Sequence, residues 1–73
     1  MNEREPKGLT PREVECLKLT SIMSSKEIAR QLGISAATVD VHIARAARKL
    51  EVSDRRRALR ELMRREAGME PPG

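Results

Sequence analysis

The sequence contains no phenylalanine, tyrosine or tryptophan among its 73 residues. Unpaired bases are usually bound by stacking on aromatic side chains, so this absence makes single-stranded nucleic acid a poor candidate ligand. It also limits the core to leucine, isoleucine, valine, alanine and methionine. Such a core is thin for a chain of this length, which favours stabilisation by a partner subunit.

Cysteine and histidine are nearly absent, since Cys16 and His42 are the only residues of their types. A single cysteine excludes an intramolecular disulfide, and one cysteine with one histidine cannot supply the four ligands of a Cys/His zinc site. We therefore expect no bound metal and no other cofactor. A buried free cysteine behaves as a small apolar residue, so Cys16 is expected in the core.

Catalytic motifs and long apolar runs are missing as well. The sequence has no P-loop, GxGxxG, HExxH or GxSxG motif. A chain this short buries only about 60% of its unfolded surface, which leaves little room for an enclosed active site. We expect neither an enzyme nor a binder of a small-molecule substrate.

No apolar run approaches the ~20 residues that span a bilayer, and the N-terminal MNEREPKG is charged, so a cytoplasmic protein without a membrane partner is expected.

Basic residues, in contrast, are abundant and locally concentrated. The net charge is +4, but positions 42 to 65 contain nine arginine and lysine residues and only three acids, which gives a local charge of +6. Eleven of the fifteen basic residues are arginines, whose guanidinium groups donate paired hydrogen bonds to phosphate and to guanine. This distribution favours a polyanionic partner, and in a chain without aromatic residues duplex DNA is the best candidate.

Residues 24–50 have the spacing of a helix-turn-helix. Ile28 and Leu32 lie on the apolar stripe of a helix of about two turns. Gly33 is predicted to end this helix, because glycine tolerates the left-handed conformation found at helix C-termini. Ser35 is a favourable N-cap for a second helix that starts near position 36. The buried face of this second helix is predicted to consist of the apolar residues at i, i+4, i+7 and i+11, namely Val39, Ile43, Ala46 and Leu50.

The opposite face of this second helix is predicted to read DNA. It carries small residues and arginines, so it can approach base edges in the major groove while flanking cations reach phosphates. The candidate base-reading residues are Thr38, Asp40, Val41, Ala44, Arg45 and Arg48. The candidate phosphate contacts are Lys26, Ser35, His42, Lys49, Arg55, Arg56 and Arg57.

Two more helices are predicted around this motif. Thr10, Pro11 and Glu13 combine a capping box with a proline at the first helical position, and Ser24 forms a second capping box with Glu27. The sequence thus predicts an all-α fold of four helices, at about residues 11–21, 25–32, 36–50 and 54–67, in which a tri-helical core carries the helix-turn-helix. We expect a flexible lead at residues 1–8, a DNA-binding domain at 9–67, and a flexible tail at 68–73, whose first glycine ends the last helix.

The last predicted helix has an apolar stripe of Ala58, Leu59, Leu62 and Met63. One side of this stripe can cover the core, but four adjacent apolar positions on a terminal helix exceed what the core needs. We therefore expect a homodimer whose interface contains Leu59, Leu62 and Met63. The alternative is that all four residues pack inside one protomer. A two-fold dimer would place two reading helices about 34 Å apart, one turn of duplex, on a near-palindromic site.

Three segments of the chain, LTPREVECLKL, SSKEIARQLGIS and TVDVHIARAARKLEVSDRRRAL, resemble in order and spacing the LuxR-type, or GerE-like, DNA-binding domain of bacterial transcription regulators. The resemblance covers residues 9–62. It implies a four-helix domain whose third helix enters the major groove and whose fourth helix pairs two protomers, in a regulator that acts at the nucleoid. The family's domain commonly follows a receiver or ligand-sensing domain. This chain resembles instead the free-standing members, so a single-domain form is expected.

The residues that match the family's motif in the third helix are Thr38, Val39, Val41 and His42. Asp40, however, stands where the family commonly has lysine. A carboxylate there repels phosphate, but it can accept a hydrogen bond from a cytosine amino group or orient Arg45 through a salt bridge. Ala44 replaces a residue that often makes a polar contact. At these two positions the sequence departs from the family's pattern, so the resemblance implies no particular base preference there.

Two other functions fit the same residues. The third helix and its ARAARKL ending are similar to the promoter-reading region of sigma factors, which would make the chain an RNA-polymerase-associated module. A helical protein-interaction module would keep the same fold without binding DNA. Retention by RNA polymerase would identify the first alternative, and the absence of salt-dependent affinity for duplex DNA would identify the second.

Overall fold

The computed structural model describes residues 8–69 of the chain. Within this range the backbone forms four helices joined by short turns and no strand. The helices are α1 (Pro11–Leu19), α2 (Ser25–Leu32), α3 (Ala36–Lys49) and α4 (Arg55–Met69). The prediction of an all-α, four-helix fold is confirmed, and each predicted helix boundary lies within two residues of the observed one. In this part of the chain, no helix combines the length and the apolar character needed to cross a membrane.

The first three helices begin at the side-chain caps that the sequence predicts. Thr10 Oγ1 accepts a hydrogen bond from the Glu13 amide at 3.1 Å, and Glu13 Oε1 accepts one from the Thr10 amide at 3.0 Å. Ser24 and Glu27 form the same capping box, and the Ser35 hydroxyl accepts from an amide in the first turn of α3. Each cap satisfies amides that a helix start otherwise leaves without partners, so these residues fix where the helices begin.

Glycine ends α2 but does not end α4. Gly33 has φ +70° and ψ +33°, the left-handed conformation expected at a helix C-terminus, and the chain then turns directly into α3. Gly68 keeps a helical conformation and α4 continues to Met69, so the prediction that this glycine ends the helix is wrong. A glycine inside a helix costs only about 1 kcal/mol relative to alanine, so it does not have to end the helix. Most of the predicted lead and tail, including the prolines at positions 71 and 72, lies outside the described residues.

The core lies between α3 and the other three helices, because α3 packs against each of them. The predicted inner face of α3 is confirmed, since Val39, Ile43, Ala46 and Leu50 are all buried. Cys16 of α1 is also fully buried, as expected for a free cysteine. Burial raises the pKa of the Cys16 thiol above its ordinary value, because the thiolate would lose its hydration. This thiol is therefore an inert core group.

α4 covers the core with one side only. Ala58 and Leu62 are fully buried, Leu59 is half-buried and Met63 is 53% exposed. The expectation that Leu62 lies at a dimer interface is therefore wrong, because its side chain is sealed inside the protomer. Leu62 follows Ala58 by one helical turn, so both residues point to the core, while Met63, one position further on, points away from it.

Candidate nucleic-acid interface

The exposed face of α3 has short side chains in its middle and arginines toward its C-terminal end. Ala37, Val41, Ala44 and Arg48 lie along one line of the helix surface, at i, i+4, i+7 and i+11, opposite the buried residues. All six residues predicted to read bases are exposed, and Val41 is 45% exposed although it is apolar. The rest of the protomer therefore leaves the predicted reading face uncovered.

Two hydroxyl groups stand at the N-terminal end of this face. Ser35 caps α3, and its Oγ lies 2.8 Å from the Oγ1 of Thr38, so one of the two hydroxyls donates a hydrogen bond to the other. The backbone amides of the first turn add the positive end of the helix dipole. Hydroxyl groups and a helix N-terminus together suit contact with a phosphate group.

Asp40, on the exposed side of α3, contacts both α2 and α4. Its Oδ1 accepts a hydrogen bond from the hydroxyl of Ser25, the first residue of α2, at 2.7 Å. The same Oδ1 lies 3.5 Å from Nη2 of Arg55, the first residue of α4. The expectation that Asp40 orients Arg45 is therefore wrong, since the guanidinium beside Asp40 comes from Arg55. Arg45 lies five positions along the helix, beyond the three- or four-residue spacing at which side chains meet.

Three of the predicted phosphate contacts are exposed cations on α2 and α4. Lys26 on α2 and Arg56 and Arg57 on α4 are exposed, and none of them forms a salt bridge with another residue in the range 8–69. Free guanidinium and ammonium groups of this kind are the usual contacts to a DNA backbone. The start of α4 and the start of α2 thus supply positive charge beside the reading face.

His42 is half-buried at the edge of the reading face. Its Nδ1 is buried and has no hydrogen-bond partner among the described residues. The other ring nitrogen, Nε2, is therefore the one that can meet a phosphate. Across the described part of the chain, no group of His, Cys, Asp and Glu side chains is arranged to hold a metal ion.

Lys49 forms an ion pair with the buried Glu13 of α1. Its Nζ donates hydrogen bonds to both carboxylate oxygens of Glu13, at 2.8 and 3.0 Å, and Glu13 is only 2% exposed. A buried carboxylate without a cationic partner would destabilise the fold. The ammonium of Lys49 is thus committed to a structural ion pair, which corrects its predicted place on a phosphate.

The pKa of Glu13 results from opposing effects. Burial raises the pKa, whereas hydrogen bonds from Lys49 and from the Thr10 amide lower it. Electrostatic interactions with Lys49 and His42 lower it further. The lowering effects prevail, so the pKa lies below the ordinary carboxyl value. Glu13 is therefore ionised at neutral pH, in contact with the cation that compensates its charge.

Sequence reasoning identifies Glu13 only as a capping-box residue and does not single out Ser25. For Glu13 a signal exists, because it lies beside the buried Val14 and one turn before the buried Leu17, on the inward side of α1. For Ser25 no local pattern is available. Its contact with Asp40 spans 15 positions and depends on how α2 packs beside α3.

The order of α2, the Gly33 turn and α3 is shared with a known family. The family described as bacterial regulatory proteins, luxR family, matches residues 7–62, which include α1 to α3 and the first half of α4. The chain belongs to the LuxR family. This membership confirms the resemblance of the sequence segments and places the chain among DNA-binding regulators of transcription.

A curated relative of this LuxR-family chain is the transcriptional activator protein CarR of Pectobacterium carotovorum subsp. carotovorum. The two proteins are 48% identical over 52 residues, which cover 70% of this chain and 21% of CarR. The chain thus spans about a fifth of the length of this relative. No solved structure significantly matches the chain.

Proposed function

We propose that this LuxR-family chain regulates transcription by binding duplex DNA at specific sequences, with α3 in the major groove. The observation that carries the proposal is the exposed face of α3, whose central residues Ala37, Val41 and Ala44 are short while the opposite side of the helix is buried. A helix reaches base edges only when its leading side chains permit close approach, and α3 offers a narrow ridge to a groove about 12 Å wide. Such a regulator would act in the cytoplasm, at the bacterial nucleoid.

Base recognition is assigned to residues along this ridge, and phosphate contact to groups beside it. The residues proposed at base edges are Thr38, Asp40, Val41, Ala44, Arg45 and Arg48. The residues proposed at phosphates are Lys26, Ser35, His42, Arg56 and Arg57. Arg55, predicted among them from the sequence, pairs with Asp40 instead. Arg45 and Arg48 suit guanine, because a guanidinium donates two parallel hydrogen bonds to its O6 and N7, and Val41 suits the methyl group of thymine.

Selection from random duplexes, followed by sequencing, tests this proposal. The chain should enrich one motif, which we call the selected duplex. Its affinity for the selected duplex should fall as salt rises, with a slope of log K against log salt of about −0.9 for each phosphate contact. Enrichment of no motif would reject sequence-specific binding. Retention by RNA polymerase without affinity for any duplex would instead identify a polymerase-associated module.

We also propose that two copies of the chain pair through α4. Leu59 and Met63 support this pairing, because both are apolar and remain partly or largely exposed beside the buried Leu62. A two-fold pair would place two α3 helices about 34 Å apart on a near-palindromic site. The selected duplex should therefore contain two inverted half-sites whose centres are separated by about one helical turn.

Replacing Met63 with arginine is expected to convert dimers into monomers. A two-fold interface contains each substitution twice, so two added charges would lie against each other in an apolar contact. We expect the dissociation constant of the dimer to rise at least about a hundredfold, which corresponds to about 3 kcal/mol. Sedimentation equilibrium measures this change, and far-UV circular dichroism should be unaltered because Met63 lies outside the core.

The matched control is Met63→Leu, which keeps an apolar side chain of similar volume and should remain dimeric. If Met63→Arg sediments with the same mass as the wild type, α4 is not the interface.

A further inference from the structure

Asp40 is the acidic residue of α3, and it lies among the cations of the proposed DNA interface. α3 contains no other aspartate and no glutamate, whereas its exposed side carries Arg45 and Arg48. The Asp40 side chain is 58% exposed, and it contacts the first residues of both α2 and α4. An exposed ion pair of this kind adds little to stability. The hydrogen bond from Ser25 needs an acceptor but not a charge, because the oxygen of an asparagine could also accept it.

The contact with Asp40 makes Arg55 less available to a DNA phosphate. Arg55 is followed by Arg56 and Arg57, so α4 begins with three guanidinium groups. Positive charge is unfavourable at a helix N-terminus, and the Asp40 carboxylate, 3.5 Å from Nη2 of Arg55, compensates one of these charges within the protein. A phosphate that approaches Arg55 must also approach a carboxylate, and like charges at such short range repel each other.

Repulsion of phosphate acts on every DNA sequence alike, since all duplexes present the same backbone. Base contacts, by contrast, form only on the correct sequence. A carboxylate at this place weakens binding to any duplex, and on the correct duplex the loss is offset where a carboxylate oxygen accepts a hydrogen bond from a base amino group. Both contacts of Asp40 within the protein use Oδ1, which leaves Oδ2 available to a base.

We propose that Asp40 determines the specificity of this interface through two effects: it holds Arg55 away from the DNA backbone, which weakens binding to every duplex, and its Oδ2 accepts a hydrogen bond from a base amino group on the correct sequence only. This inference rests on the DNA-binding function proposed above. It assigns the effect to the negative charge of Asp40 and to its contact with Arg55.

The test compares the full chain with its Asp40→Asn variant on the selected duplex and on a random-sequence duplex of the same length. Asparagine keeps the size of the side chain and an acceptor for the Ser25 hydroxyl, but it removes the charge. We expect Asp40→Asn to bind the random duplex about five- to tenfold more tightly. On the selected duplex the loss of the base contact at Oδ2 opposes this gain, so the ratio of the two affinities should fall at least about fivefold. Because Arg55 gains a phosphate contact, the salt slope on the random duplex should steepen by about 0.9.

Two further variants separate the effect of the Asp40–Arg55 contact from the effect of a change in net charge. Glu51→Gln changes the net charge by the same amount at the other end of α3, where Glu51 is exposed and forms no salt bridge with another described residue. It should leave both affinities within about twofold of the wild type. Adding Arg55→Gln to Asp40→Asn should return the salt slope and the random-duplex affinity to near wild-type values.

Three results would overturn the inference: an unchanged random-duplex affinity in Asp40→Asn, an equal gain on both duplexes, or a gain that persists without Arg55. Failure of the DNA-binding proposal has a different signature, because the wild-type chain would then bind neither duplex in a salt-dependent manner and both proposals would fall. Far-UV circular dichroism verifies that each variant keeps the wild-type helix content.

Discussion

Replacing Glu13 with alanine should lower the free energy of unfolding by about 3 kcal/mol. The substitution leaves the Lys49 ammonium without its buried partner, and it removes the acceptor for the Thr10 amide. Domains of this size are stabilised by roughly 0.1 kcal/mol per residue, so a loss of this magnitude is a large fraction of the total. Urea denaturation followed by far-UV circular dichroism measures it, because a chain without aromatic residues has no tryptophan fluorescence.

Two variants divide this effect into its parts. Glu13→Gln keeps the size of the side chain and can keep the capping box, in which glutamine replaces glutamate well, so its loss of stability reports the ion pair alone. Glu15→Gln removes the same charge two positions along α1, where Glu15 is 51% exposed and pairs with Arg12. An exposed pair contributes little, so this control should lose less than about 0.5 kcal/mol. Equal stability of Glu13→Gln and the wild type would show that the ion pair does not stabilise the fold.

The same ion pair makes stability depend on pH. The pKa of Glu13 in the folded chain lies below 4.5, its ordinary value, so the stabilisation is complete above the pKa of the unfolded chain and is lost as the pH falls through the lower folded value. The difference in unfolding free energy between the wild type and Glu13→Gln should be largest near neutral pH and shrink as the pH falls below the ordinary carboxyl value. Glu61, whose pKa is lowered to about 2 by Arg64 and Arg65, is present in both proteins and cancels in the difference. A difference that does not vary with pH would assign the effect to side-chain shape.

Replacing Arg45 with alanine is expected to relax the base preference at one position of the selected duplex. A paired contact between a guanidinium and guanine discriminates against the wrong base by about 1 to 3 kcal/mol. Arg45 is exposed and forms no salt bridge within residues 8–69, so its removal should leave the fold intact. Repeating the selection with Arg45→Ala and comparing base frequencies with those of the wild type measures the effect.

Lys26→Ala is the matched control for Arg45→Ala, because Lys26 is an exposed cation that the proposal places on a phosphate. Its removal should weaken binding to all duplexes alike and reduce the salt slope by about 1. Lys49 is unsuitable for this purpose, since replacing it would remove the ion pair with Glu13 and destabilise the fold. If both variants lost the same affinity on the selected and random duplexes, the division between base and phosphate contacts would be wrong.

Local features of this domain are predictable from the sequence because they depend on residues that are close in the chain. The capping boxes that begin at Thr10 and Ser24, and the left-handed conformation of Gly33, are each decided within about one helical turn. The inner face of α3 follows from helical periodicity alone. The exposure of the opposite side of α3 follows in the same way.

Features that depend on how the helices pack could not be predicted in this way. Leu59, Leu62 and Met63 form one apolar stripe in the sequence, but the angle at which α4 lies on the core decides which of them is buried. Glu13 and Lys49 are separated by 36 positions, and no local pattern relates them. The continuation of α4 through its glycine likewise depends on a small energetic preference rather than on a strict rule.

The Glu13–Lys49 pair and the Ser25–Asp40 hydrogen bond secure α3 near its two ends. The orientation of α3 is thus fixed before DNA binds, so the protein would lose little conformational entropy when the complex forms. Recognition of an operator would then be sensitive to residues that never touch it, since loosening either end of α3 would tilt the helix in the groove.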